Sequence, residues 1–129
     1  MRVEAEMWFK QARSDLRKAF NDLQTCDWDS AAFWSQQASE KALKALLLAF
    51  GKTTRTHNLL ELGKIVEQEI KISTSEIHED LRELTIHYTI SRYPNAANAL
   101  PSELYDEGKA RELVKRAEKV VRWVEQNLL

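Results

Sequence analysis

An all-α, up-and-down antiparallel bundle of four to five helices is predicted by three features of the sequence. Apolar residues recur at steps of three and four through nearly every stretch, as in helices that turn one face inward. Glycine and proline, which interrupt helices, number only three and two in 129 residues. Short polar residues that can cap a helix stand where several of the periodic runs begin. A chain of this length forms about one domain with a single core, and it holds no internal repeat, low-complexity tract or linker. Residues 1–129 are therefore read as one unit.

The first helix is expected over residues 3–24, with Trp8, Ala12, Leu16, Ala19 and Leu23 forming its apolar stripe. In "CDWDSAAF", Asp27 or Asp29 can accept the free amide hydrogens of a new first turn. That second helix runs to about Phe50 and closes at Gly51, which can take the left-handed conformation. Ala31, Ser35, Ala38, Ala42, Ala45 and Ala49 give it a seam of small residues, where another helix can approach closely. The same seam would alternatively suit a dimer contact. Because "LKALLLAF" is apolar on several sides, this helix is expected at the centre of the bundle.

A third helix is expected over residues 58–72 with Leu59, Leu62, Val66 and Ile70 inward, although Gly63 inside it costs about 1 kcal/mol relative to alanine. "STSE" supplies a cap for the fourth, in which Ile77, Leu81, Leu84 and Tyr88 share a face. Pro94 disfavours helical geometry at Tyr93, so this helix should end near Ser91. A long loop from Arg92 to about Leu104 precedes the last helix, residues 105–127, with Ala110, Leu113, Ala117, Val120 or Val121, and Val124 inward. Trp8, Trp28, Trp34 and Trp123 read as core or interface anchors, with Trp28, just before the second helix, the one expected to be partly exposed.

Composition narrows the function. Nineteen basic and twenty acidic residues give a net charge of −1, so no overall positive field recruits polyanions and any nucleic-acid contact must be local. The single cysteine, Cys26, can form no internal disulfide and is expected as a half-buried thiol at a helix end. The opening "MRVEAEMWFKQARSDL" is charged throughout, and no run reaches the ~18 apolar residues of a membrane span, so a cytoplasmic protein without a membrane segment is expected. His57, His78 and His87 lie on separate segments without metal-ligand spacing. Neither a metal nor a cofactor is expected.

Three separated segments, "AAFWSQQASEKALKALLLAFGK", "TRTHNLLEL" and "HYTISRYPNA", together resemble the HEPN domain (higher eukaryotes and prokaryotes nucleotide-binding), in the prokaryotic subgroup with QQA-EKALKA, H-x-L and RYP signatures. The resemblance covers nearly the whole chain. It implies an all-α bundle, a homodimer built from its helices, and a small nucleotidyltransferase as partner in a two-component system of toxin and antitoxin. Many members are metal-independent ribonucleases that use an arginine and a histidine four to six residues apart. Here that pattern falls on Arg82 and His87, with four residues between them.

Such a ribonuclease must activate a 2′-hydroxyl, protonate a leaving 5′-oxygen and stabilise charge on the phosphate. Histidine suits the proton transfers and arginine the phosphate. Residues five apart on a regular helix are about 140° apart around its axis, so productive geometry would need two copies of this helix facing one cleft. Glu83, four residues before His87, is expected on the same face and would favour the imidazolium.

A second set of residues suits anion or base contact. Between Glu40 and Glu61 there is no acidic residue, whereas Lys41, Lys44, Lys52 and Arg55 are basic. "GKTTRTH" lacks the second glycine and the Gly-Lys-Ser/Thr ending of a phosphate-binding P-loop. Lys52, Arg55, His57, Tyr88, Arg92 and Tyr93 are the candidates for nucleotide or RNA binding, with guanidinium to phosphate and ring to base. His57 could instead anchor its loop or cap the third helix, and Arg92 could cap the fourth. Gln36, Gln37 and Glu40 are read as polar contacts within the bundle or dimer.

Overall fold

The computed structural model describes residues 2–129 and is helical throughout, with α1 Val3–Gln24, α2 Trp28–Ala49, α3 Leu59–Glu69, α4 His78–Thr85, α5 His87–Ile90, α6 Pro94–Ala97, α7 Pro101–Leu104 and α8 Glu107–Leu128. Five of these have eight residues or more and build the bundle. The other three are single turns. Among the described residues no helix is long and apolar enough to cross a membrane.

The α2 helix is central, touching α1, α3, α4, α5, α7 and α8. Most of its alanine seam is spent inside the protomer, since Ala31, Ala38, Ala42 and Ala45 are fully buried and Ala49, at the end of the helix, is partly exposed. Close approach decides which face α1 turns inward. Ala5, Phe9, Ala12 and Ala19 go inside, while Trp8, expected in the core, lies at the rim with 38% of its surface exposed. Beside a seam of methyl groups there is no room for an indole. The same stripe carries one carboxylate inward: Asp15 is fully buried, ion-paired with Lys41 and with Lys18 at 3.3 Å, and accepts a hydrogen bond from Gln11 at 2.9 Å.

Caps fix where the elements begin and end. Gly51, at φ +77°, closes α2 in a Schellman turn, with the Lys52 amide on the Leu47 carbonyl (2.9 Å) and the Gly51 amide on that of Leu48 (3.0 Å). Asp27 sits at the N-cap of α2 without capping it, because its carboxylate accepts the Thr25 hydroxyl. Cys26, at φ 62°, makes the turn before it and is exposed rather than half-buried. Asn58, not His57, caps α3, accepting from the amides of Leu60 and Glu61. "STSE" does not cap α4: Ile77 holds the N-cap position, and the segment turns through the Thr74 amide on the Glu67 carboxylate at 2.9 Å.

The expected fourth helix is interrupted at Ile86, after which α5 continues for one turn. Thr85 turns its hydroxyl to the Leu59 amide at 2.9 Å, tying this point to the start of α3. The buried stripe runs Ile77, Leu81, Leu84, His87, Ser91, so His87 takes the inward place expected for Tyr88. The segment from Arg92 to Leu104 is not a bare loop, because Pro94 and Pro101 each open a turn of helix. Asp106 then caps α8, whose inward face includes both Val120 and Val121 together with Trp123.

Gly63 of α3 lies against Leu81 of α4. A Cβ there would stand 3.0 Å from Leu81 Cδ1, so the fully buried Leu81 side chain would have to give way. Gly63→Ala should therefore forfeit the gain of about 1 kcal/mol that alanine brings to a helix and lower the melting temperature. A higher melting temperature in a thermal unfolding scan would refute this.

Candidate functional site

The three motif segments meet along one face of α2. Glu40 is buried, and its carboxylate receives the Lys44 ammonium at 3.0 Å and the Gln36 amide at 3.2 Å. His57 approaches the same carboxylate from the loop before α3, its Nδ1 lying 3.1 Å from Oε1 and 3.0 Å from Oε2. The Gln36 amide also donates to the His57 carbonyl at 3.1 Å, which fixes the backbone beneath the ring.

On its other side the His57 imidazole stacks on Tyr88 of α5, with centroids 4.2 Å apart and planes 12° from parallel. Tyr88 in turn lies under Arg92, whose guanidinium carbon is 4.7 Å from the Tyr88 ring, 4.6 Å from Phe33 and 4.7 Å from Tyr93. The Arg92 Nε donates to the Tyr88 carbonyl at 2.9 Å, as a basic residue at a helix end does. Three rings and one backbone bond thus hold an exposed guanidinium whose terminal nitrogens make no ion pair among the described residues. The result is a row from Lys44 through Glu40, His57, Tyr88 and Arg92 to Phe33.

The other candidate residues lie outside this row. Lys52 is exposed and pairs with Glu69 at 3.6 Å. With Lys41 on Asp15 and Lys44 on Glu40, three of the four basic residues expected to form an anion patch are already paired, and only Arg55 of the four is not. Arg82 is exposed on α4. His87 lies inside, 4% exposed, with Nδ1 2.5 Å from the Tyr105 hydroxyl and Nε2 buried without a hydrogen-bond partner among the described residues. The protomer therefore does not bring Arg82 and His87 together.

Electrostatics set His87 apart from what Glu83 led one to expect. Burial pushes its imidazole down from 6.5 to about 4, and the Lys109 charge acts the same way, outweighing the Glu112 carboxylate and the Glu83 backbone carbonyl. It is neutral at pH 7. Burial also raises the Tyr105 phenol above its ordinary value, so this pair is a neutral hydrogen bond within the core.

Sequence reasoning did not foresee Phe33 and Tyr105, nor that Glu40 would serve His57. One signal was available: Gln36, Glu40 and Lys44 form a polar line at a spacing of four along a helix otherwise buried on several sides. Polar groups so placed need partners.

The HEPN domain model matches residues 5–127, nearly all of this chain. The chain belongs to the HEPN family. Two solved structures superpose closely on this chain. A crystal structure of TT1696 from Thermus thermophilus matches with a TM-score of 0.89 and 33% identity, covering 98% of this chain and 99% of that one. ST0689, described as an archaeal HEPN homologue, matches with a TM-score of 0.80 and 31% identity, over 97% and 98% of the two chains. In sequence, the protein named "Putative toxin MJ1304" of Methanocaldococcus jannaschii is 31% identical over 126 residues, spanning 91% of this chain and 83% of that protein.

Proposed function

We propose that this HEPN protein is the toxin-type member of a two-component pair with a small nucleotidyltransferase, and that it binds single-stranded RNA or a nucleotide along the row centred on Arg92. One observation carries the reading: an exposed guanidinium is held in place by Phe33, Tyr88 and Tyr93 without an ion-pair partner among the described residues. A fixed planar fork is suited to a phosphate, and the exposed Tyr93 ring offers a face to a base. Similarity to the relative named a toxin supports the biological role. Homodimerisation belongs to the proposal, and exposed Val3, Met7 and Trp8 at the start of α1 provide apolar area for it. Ribonuclease action through Arg82 and His87 would require Nε2 of His87 to be uncovered first.

Fluorescence anisotropy with a labelled single-stranded RNA tests the reading. Arg92→Ala should weaken binding about tenfold and flatten its salt dependence by about one phosphate contact. Equal affinity in the wild type and the variant, or none in the wild type, would sink it. Co-expression with a neighbouring nucleotidyltransferase tests the pairing, which predicts a complex that survives purification.

A further inference from the structure

We propose that the cleft beside Trp8, where the start of α1 meets the end of α2, binds a small aromatic carboxylic acid as its anion. The proposal goes beyond the reading given to Arg92 and does not depend on it. The cleft holds about 220 Å³, with Trp8 contributed by α1 and Leu47 and Leu48 by α2. A second cleft of about 550 Å³ shares Trp8 as a wall and adds Met7. Together they have room for a body of one or two rings. Trp8 is partly exposed, and an indole stacks well on such a ring.

What distinguishes this cleft from a plain apolar groove is Lys44. Its side chain is nine-tenths buried, yet it lines the cleft, with the ammonium 5.9 Å from the centre of the Trp8 ring. An ammonium has three hydrogens to donate, and the one acceptor this group meets among the described residues is Glu40, at 3.0 Å. Buried donors call for acceptors. An anion seated against Trp8 supplies one, in a charge-assisted hydrogen bond. The larger cleft repeats the pattern, since Lys41 lines it and bonds to the buried Asp15 alone among the described residues.

Charge decides which anion fits. Lys44 is matched by Glu40 and Lys41 by Asp15, and Glu4 lines both clefts, so these groups leave no surplus of positive charge. A phosphate dianion would double the repulsion that a monoanion meets from Glu4, and it would gain nothing from the apolar walls. A carboxylate needs only the hydrogens that Lys44 has to spare. Its ring system covers Trp8 and the two leucines.

The probe is 2-naphthoate. In isothermal titration calorimetry the full chain should bind it with a Kd below about 1 mM, and should bind the uncharged 2-naphthalenemethanol about tenfold more weakly. The four tryptophans give four indole N–H signals in an NMR spectrum, and that of Trp8, identified by its loss in Trp8→Phe, should shift most on addition of the acid. Trp8→Ala changes a residue at the rim, so it should fold, and it should weaken 2-naphthoate about tenfold. Lys44→Gln keeps a donor for Glu40 and should erase the preference for the acid over the alcohol. Equal affinity of the wild type for acid and alcohol overturns the proposal, as does a largest shift at another tryptophan. AMP moving the Trp8 signal at lower concentration than 2-naphthoate overturns the choice of a carboxylate. Absence of binding refutes the site altogether, and if Trp8 is then shielded from acrylamide in a dimer, the cleft belongs to a second copy of the chain.

Discussion

Leu46→Ala is expected to lower the unfolding free energy by about 3 kcal/mol and the melting temperature by about 10 °C. Leu46 is fully buried on α2, the helix on which α1, α3, α4, α5, α7 and α8 converge. Removing its branched end takes away apolar contact and leaves a cavity that the neighbouring helices cannot close without moving together. Two residues on, Leu48 is only partly buried, so Leu48→Ala should cost less than about 1 kcal/mol. Urea unfolding of both variants provides the measurement. Equal losses, or a loss below about 1 kcal/mol at Leu46, would contradict the assignment of α2 as the centre of the core.

Acid is expected to weaken the fold through His87. Its folded value of about 4 lies below the ordinary 6.5, so between those values the unfolded chain binds a proton that the folded chain refuses. Stability in this window rises with pH: it is whole above about 6.5 and falls as pH drops toward 4. The His87 share of the loss between pH 7 and 4.5 should be about 2 kcal/mol. His87→Gln keeps a polar group beside the Tyr105 hydroxyl but does not titrate, so it should shed that part of the acid sensitivity. Unfolding curves of the two proteins at both pH values decide the matter, and identical acid losses would refute the role given to His87.

Much of the fold was legible because helix periodicity is a local property. The spans of α1 and α2, the central position of α2, the glycine closure at Gly51 and the inward face of α8 all follow from residues three and four apart. What escaped depended on partners distant in sequence. Whether Trp8 or Phe9 faced inward was decided by the alanine seam of α2, and the inward turn of His87 was accompanied by the tie from Thr85 to α3. The site divided in the same way. His57, Tyr88, Arg92 and Tyr93 were recognisable as residue types suited to binding, but the carboxylate behind His57 stands seventeen positions earlier. No spacing rule connects a buried glutamate to a loop histidine. Gly63, read from sequence as a weakness in α3, lets the Leu81 side chain of α4 pack close against the α3 backbone.

The row that joins Glu40, His57, Tyr88 and Arg92 also has a consequence in time. Its members come from α2, from the loop after it and from α5 and its end, so no single helix or loop contains it. During synthesis α1 and α2 emerge first and can pair as a local hairpin, but His57 then has no Tyr88 to lie on and the guanidinium has not yet been made. Translation must pass Arg92 and Tyr93 before the surface exists at all. A ribosome is thus never exposed to the finished row of the chain it is still in the first two-thirds of building.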